Sequence, residues 1–125
     1  MIQSSETNAL LDACVLYPAP VRDLLLSVAA EGLYDPVWTQ VIQDEWINNL
    51  LINRTDLKRE KLIATTRAMN IAFPQANIMH YKRLLNQLTL PDENDRHVLA
   101  AAISGKAQLI ITFNLKDFPM KNLKP

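Results

Sequence analysis

Two segments late in the chain concentrate the residues that can do chemistry. In Leu90-Pro91-Asp92-Glu93-Asn94-Asp95-Arg96-His97, carboxylates precede an alanine-rich helix former, Val98 to Ile103. In Leu109-Ile110-Ile111-Thr112-Phe113-Asn114-Leu115-Lys116-Asp117, the polar residues Thr112, Asn114 and Asp117 fall just past a short apolar run that reads as a buried parallel strand. Asp12 interrupts an earlier apolar run, and Glu45 lies beside the apolar stripe of a helix. Open α/β sheets bind ligands in the crevice at the carboxyl ends of their strands, and carboxylates gathered there repel one another unless a cation or a proton intervenes. Asp12, Glu45, Asp95 and Asp117 are therefore candidate metal ligands converging on one crevice, with Thr112 and Asn114 as hydrogen-bonding partners and Asp92 as a weaker candidate.

The elements that must position them follow from hydrophobic periodicity and from the residues that start and stop helices. Ala9 to Leu16 reads as a first strand interrupted by Asp12, and Pro20 suits the first turn of a helix to about Glu31, with Gly32 just beyond. Tyr34 to Trp38 is a second strand. Thr39 then caps a helix to about Asn53 whose stripe is Ile42, Trp46 and Leu50. Thr55 or Asp56 caps a third helix, Leu57 to Ala72, and Gln75 to Leu88 reads as a fourth through Ile78, Tyr81, Leu85 and Leu88. The acidic segment starts a fifth helix that ends near Gly105. Strand-like and helix-like runs thus alternate, which predicts an α/β fold with a parallel sheet of about four strands flanked by helices.

Composition removes several function classes. The 125 residues suit one domain, and 49% apolar content is enough for a core. Thirteen basic residues balance thirteen acidic ones, so no global positive field holds nucleic acid and any such contact must be local. The single cysteine, Cys14, excludes an internal disulfide and a cysteine-rich zinc site, and reads as a small buried hydrophobe in a reducing compartment. There is no leader pattern, no apolar run of the ~20 residues needed to span a bilayer, and no glycine-rich phosphate loop, which points to a cytoplasmic protein without a membrane anchor. Trp38 and Trp46 are assigned to the core rather than to base stacking.

Leu11-Asp12-Ala13-Cys14-Val15-Leu16-Tyr17-Pro18, Asp44-Glu45-Trp46, Leu90-Pro91-Asp92 through Ala102, and Thr112 through Pro119 together resemble the successive signatures of PIN-domain nucleases. Within that family they resemble the VapC-type toxins of bacterial toxin–antitoxin pairs. The resemblance spans nearly the whole chain in order. It implies a PIN-like three-layer α/β/α fold and a divalent-metal-dependent ribonuclease, and further a homodimer restrained by a cognate antitoxin. Such domains usually continue into another strand and helix, so the expectation is one domain, 1–125, shortened at its C-terminus.

The chemistry can be stated independently. Phosphodiester hydrolysis needs an activated water, stabilisation of a charged transition state and help for the leaving oxygen, all of which Mg2+ or Mn2+ held by carboxylates supplies. Magnesium keeps several waters, so one or two direct carboxylates suffice. By position Asp12 and Asp95 are the direct ligands, Glu45 and Asp117 act through water, and Thr112 and Asn114 orient carboxylates or substrate. Each residue has a plainer alternative. Asp92 and Asp95 can cap a helix, Glu45 can be a solvated surface charge, and Asn114 and Asp117 can shape a turn. Asp12 resists such a reading, because an acid inside an apolar run is costly without a partner. The other function class consistent with the sequence is a non-catalytic binding or regulatory module on the same fold.

Overall fold

The computed structural model describes residues 7–87 and 96–114. Three strands, β1 (Asn8–Leu11), β2 (Asp35–Val37) and β3 (Leu109–Ile111), form a parallel sheet in the order β2-β1-β3. The register pairs Leu10 with Val37 on one side of β1 and with Ile110 on the other. Helices α1 (Ala13–Leu16), α2 (Ala19–Ala30), α3 (Gln40–Asn53), α4 (Arg59–Ala72) and α5 (Arg96–Ser104) supply the connections, with a 3-10 helix at Lys82–Gln87. This is the expected α/β architecture. The described residues carry three of the roughly four strands anticipated, plus an isolated parallel bridge between Trp38 and Asn77.

β1 is central, paired on both sides, and its last three residues are the most completely buried run in the sheet. Ala9, Leu10 and Leu11 are all buried, and α5, whose Ala100 and Ala101 are also wholly buried, packs against the strand. Burying a leucine of this kind stabilises the fold by roughly 1.5–3 kcal/mol. Trp38 and Trp46 are both fully buried, as their apolar spacing predicts. Each indole N–H finds an acceptor, Asn70 Oδ1 for Trp38 and Gln43 Oε1 for Trp46, and Phe73 meets Trp38 edge-on at 6.0 Å. Among the described residues no helix is long and apolar enough to cross a membrane.

Three local expectations change. The first apolar run is not strand throughout: β1 ends at Leu11, and Ala13 to Leu16 form a helical turn capped by Asp12. Helix α4 starts at Arg59 without a side-chain cap, because Asp56 forms a bidentate pair with Arg54 instead. The segment after Pro74 is not a continuous helix. Trp38 N–H donates to Ala76 O and Ile78 N–H donates to Trp38 O, so pairing with the chain beyond β2 holds 76–78 extended until the short 3-10 helix.

Candidate active site

All three strands end in polar residues at the same edge of the sheet. Asp12 directly follows β1, Thr112 directly follows β3, and Thr39 is the second residue after β2. Thr39 caps α3, accepting from the Ile42 N–H at 3.1 Å, and so sets the direction in which Glu45 is carried. Asp12 sits at the strand-to-helix junction with φ −71° and ψ 158°, and its own N–H donates to Ile111 O, prolonging the β1–β3 ladder to the site itself.

Asp12 is 93% buried, and each of its carboxylate oxygens is held by a hydrogen bond. Oδ1 accepts from the Ala13 N–H at 2.8 Å, and Oδ2 accepts from the Thr112 hydroxyl at 2.8 Å. The Thr112 oxygen in turn accepts the Asn114 N–H at 3.0 Å. These bonds answer the cost of an acid at the end of an apolar strand. Cys14 joins the same network and is not the isolated small hydrophobe expected of it. Its Sγ lies 3.7 Å from Asp12 Oδ2 and 3.3 Å from Thr112 Oγ1, and accepts the Phe113 N–H at 3.2 Å. A position two residues after Asp12 was the available signal, since the capped turn brings residue 14 back over residue 12.

His97, on the first turn of α5, lies near Glu45 and within the field of the Asp12 charge. Its Nε2 is 3.9 Å from Glu45 Oε1, too long for a hydrogen bond, and Nδ1 has no hydrogen-bond partner among the described residues. Burial pushes the imidazole below its usual pKa, and the negative charge of Asp12 pulls it partly back.

Glu45 and Asn114 line one open cleft of about 520 Å³, together with Ala13 and Cys14 beside Asp12 and with Tyr17, Asn49, Ile52 and Asn53 further along. Glu45, Asn49, Ile52 and Asn53 share a face of α3 because their spacing follows the helical repeat. The geometry thus brings Asp12, Thr112 and Asn114 into one bonded cluster with Glu45 on the facing wall. Asp92, Asp95 and Asp117 lie outside the described residues.

The donor set can be tested against a divalent cation. Asp12 and Glu45 offer hard carboxylate oxygens of the kind Mg2+ and Mn2+ take. Among the described residues no three His, Cys, Asp or Glu side chains come together to enclose an ion. Glu45 lines the cleft and Asp12 adjoins its lining residues Ala13 and Cys14, and a cation that keeps most of its water needs only one or two direct carboxylates.

Arg22 braces this arrangement from behind, a role the sequence did not disclose. Its guanidinium is buried, donates to the Leu16 carbonyl at 2.8 Å and lies 4.6 Å from the centre of the Trp46 ring. One cation thereby ties the end of α1, whose start is capped by Asp12, to the body of α3, where Glu45 directly precedes Trp46.

Comparison with known proteins adds two findings. The family described as PIN domain matches residues 6–116. A 31-residue stretch is 61% identical to a protein named "Putative ribonuclease VapC50" from Mycobacterium tuberculosis (strain ATCC 25618 / H37Rv), covering 25% of this chain and 18% of that protein. No solved structure gives a significant match.

Proposed function

Because the chain belongs to the PIN domain family, we propose that it is a divalent-metal-dependent endoribonuclease, the toxin of a toxin–antitoxin pair. The observation that carries this reading is the Asp12 carboxylate, buried at the end of the central strand and held by the Ala13 N–H and the Thr112 hydroxyl beside an open cleft. A capping role alone would use one carboxylate oxygen. The second is fixed by a residue from a different strand.

In this reading Asp12 and Asp95 would hold Mg2+ or Mn2+ directly, and Glu45 and Asp117 would act through water. The cation would supply an activated water and charge stabilisation on the phosphate. The chain's own groups do the rest. Thr112 keeps Asp12 in one rotamer, Asn114 at the cleft edge offers an amide to substrate, and Glu45 on α3 accepts a proton or orders water on the opposite wall. The proposal extends to one domain over 1–125, a homodimer, a cytoplasmic location and an antitoxin segment crossing the acidic cleft, where a basic side chain would neutralise the carboxylates. The sharing of part of the chain with a protein named as a ribonuclease supports the substrate assignment.

Asp95→Asn tests it. Asparagine serves as well as aspartate at a helix cap, so a purely capping Asp95 leaves folding, metal affinity and RNA cleavage unchanged. A ligand role makes divalent-ion binding measured by calorimetry and cleavage of a mixed RNA pool fall together while the circular dichroism spectrum is retained. A wild-type chain inactive with both magnesium and manganese would replace the enzyme with a regulatory module.

A further inference from the structure

The cleft has two chemically different halves, and only one is needed for hydrolysis. The acidic half is bounded by Glu45 and Asn114. The other half is built from Tyr17, at the end of α1, and from Asn49, Ile52 and Asn53, the last two turns of α3. We propose that this second half is a subsite for one unpaired nucleobase of single-stranded RNA, adjacent to the bond that is cut. The proposal rests on the ribonuclease reading above and names where that substrate is read.

Four observations support it. Tyr17 and Ile52 offer an aromatic face and an apolar one, and Ile52 is 75% exposed, a surface that a stacked base would cover. Asn53 Nδ2 donates to the Tyr17 hydroxyl at 2.9 Å, which holds the ring against α3 and leaves the amide oxygen of Asn53 and the phenolic hydrogen available. Side-chain amides carry a donor and an acceptor side by side, the pattern that base edges present. The described residues that line this half, Tyr17, Asn49, Ile52 and Asn53, are all uncharged, which suits them to a neutral group. Asparagine is also a poor helix former, so placing Asn49 and Asn53 along one face of α3 costs helix stability that lysine or glutamate would not. A peptide occupant would find few charges to pair with here, whereas a base finds both a stacking surface and an edge partner.

Nuclear magnetic resonance can separate this inference from the enzymatic reading. The side-chain amide signals of Asn49 and Asn53 are followed while each of the four ribonucleosides, which carry no phosphate, is added at millimolar concentration, with ribose 5-phosphate as control. At least one nucleoside should shift both signals and ribose 5-phosphate neither, and Asn49→Leu should weaken that nucleoside about 5-fold, the loss of one neutral hydrogen bond. Asn49 lies on the exposed face of α3, so the variant keeps the fold, which the fluorescence of Trp38 and Trp46 verifies. If wild-type protein cleaves RNA with magnesium or manganese yet no nucleoside moves either amide, the subsite is wrong and the ribonuclease reading survives. Equal shifts from ribose 5-phosphate also overturn it. Nucleoside-induced shifts in a protein that cleaves no RNA uphold the subsite and reject the enzyme.

Discussion

Thr112→Val isolates the bond on which the site geometry depends. Valine keeps the branched shape and volume, so no cavity forms, but it cannot donate to Asp12 Oδ2. Asp12 is 93% buried, so water cannot readily replace the hydroxyl, and a hydrogen bond to a charged group contributes about 1.5–3 kcal/mol. The Asn114 N–H also loses its acceptor, but Asn114 is exposed and water can satisfy it, and the weak contact of Cys14 Sγ with the same hydroxyl is lost as well. The expected loss is therefore about 2 kcal/mol. For a chain of this size it lowers the melting temperature by roughly 6–10 °C. Urea unfolding followed by the fluorescence of the two buried tryptophans measures it directly. Thr112→Ser, which retains the donor, should lose far less. In a double-mutant cycle with Asp12→Asn the coupling should reach about 1 kcal/mol or more. A loss under about 0.5 kcal/mol with no coupling would refute the claim that Thr112 holds the Asp12 carboxylate.

Two further outcomes follow from packing and ionisation. Tyr34 donates to the Leu25 carbonyl at 2.7 Å, and burial raises its pKa to about 12. Since the folded value lies above the unfolded value of about 10, the phenol's contribution is complete below about pH 10 and is lost as pH rises from there toward 12. Tyr34→Phe should thus cost about 1 kcal/mol near neutrality, and its stability should decline less than that of wild type in urea titrations from about pH 8 to about pH 11. Identical alkaline slopes would count against burial of the phenol. At Gly105 an added Cβ would lie 3.0 Å from Val37 Cγ1 and 3.1 Å from both the Ala101 carbonyl and Ile78 Cγ1. Gly105→Ala should lower stability by about 1–3 kcal/mol through overpacking, and an unchanged urea midpoint would show that α5 can shift away from β2.

What could be read from sequence was what depends on neighbours in the chain. Thr39 as a helix cap, Pro20 in a first turn, Gly32 with φ 84° after α2, and the two core tryptophans all follow from local stereochemistry and apolar spacing. The switch at Asp12 did not, because a short apolar run has the same composition in a strand and in a buried helical turn. Gln75 to Leu88 carried a helical period that lost to backbone pairing with Trp38, a contact set by tertiary structure. At the site, the candidate residues Asp12, Thr112 and Asn114 were recognisable as types. The guanidinium of Arg22 was not, since its partners lie on other elements, and for Cys14 the two-residue spacing from Asp12 was a signal for that contact alone, its bonds to Thr112 and Phe113 being set by tertiary structure.

The central place of β1 also sets the order in which the molecule can be completed. β1 is the first described strand to be synthesised, and β2 follows after one helical hairpin. β3 arrives last, bringing Thr112 to Asp12 across a separation of 100 residues. At about 5–20 residues per second, that separation is roughly 5–20 s of translation. Throughout that interval one edge of β1 has no neighbour, and its unpaired N–H and C=O groups invite other extended chains. Closing so long a loop adds little entropy, about 0.6 kcal/mol per doubling, so the delay is one of supply rather than of equilibrium. A polypeptide released short of Leu109 would keep the α3 wall of the cleft and present the bare edge of β1 in place of a finished centre.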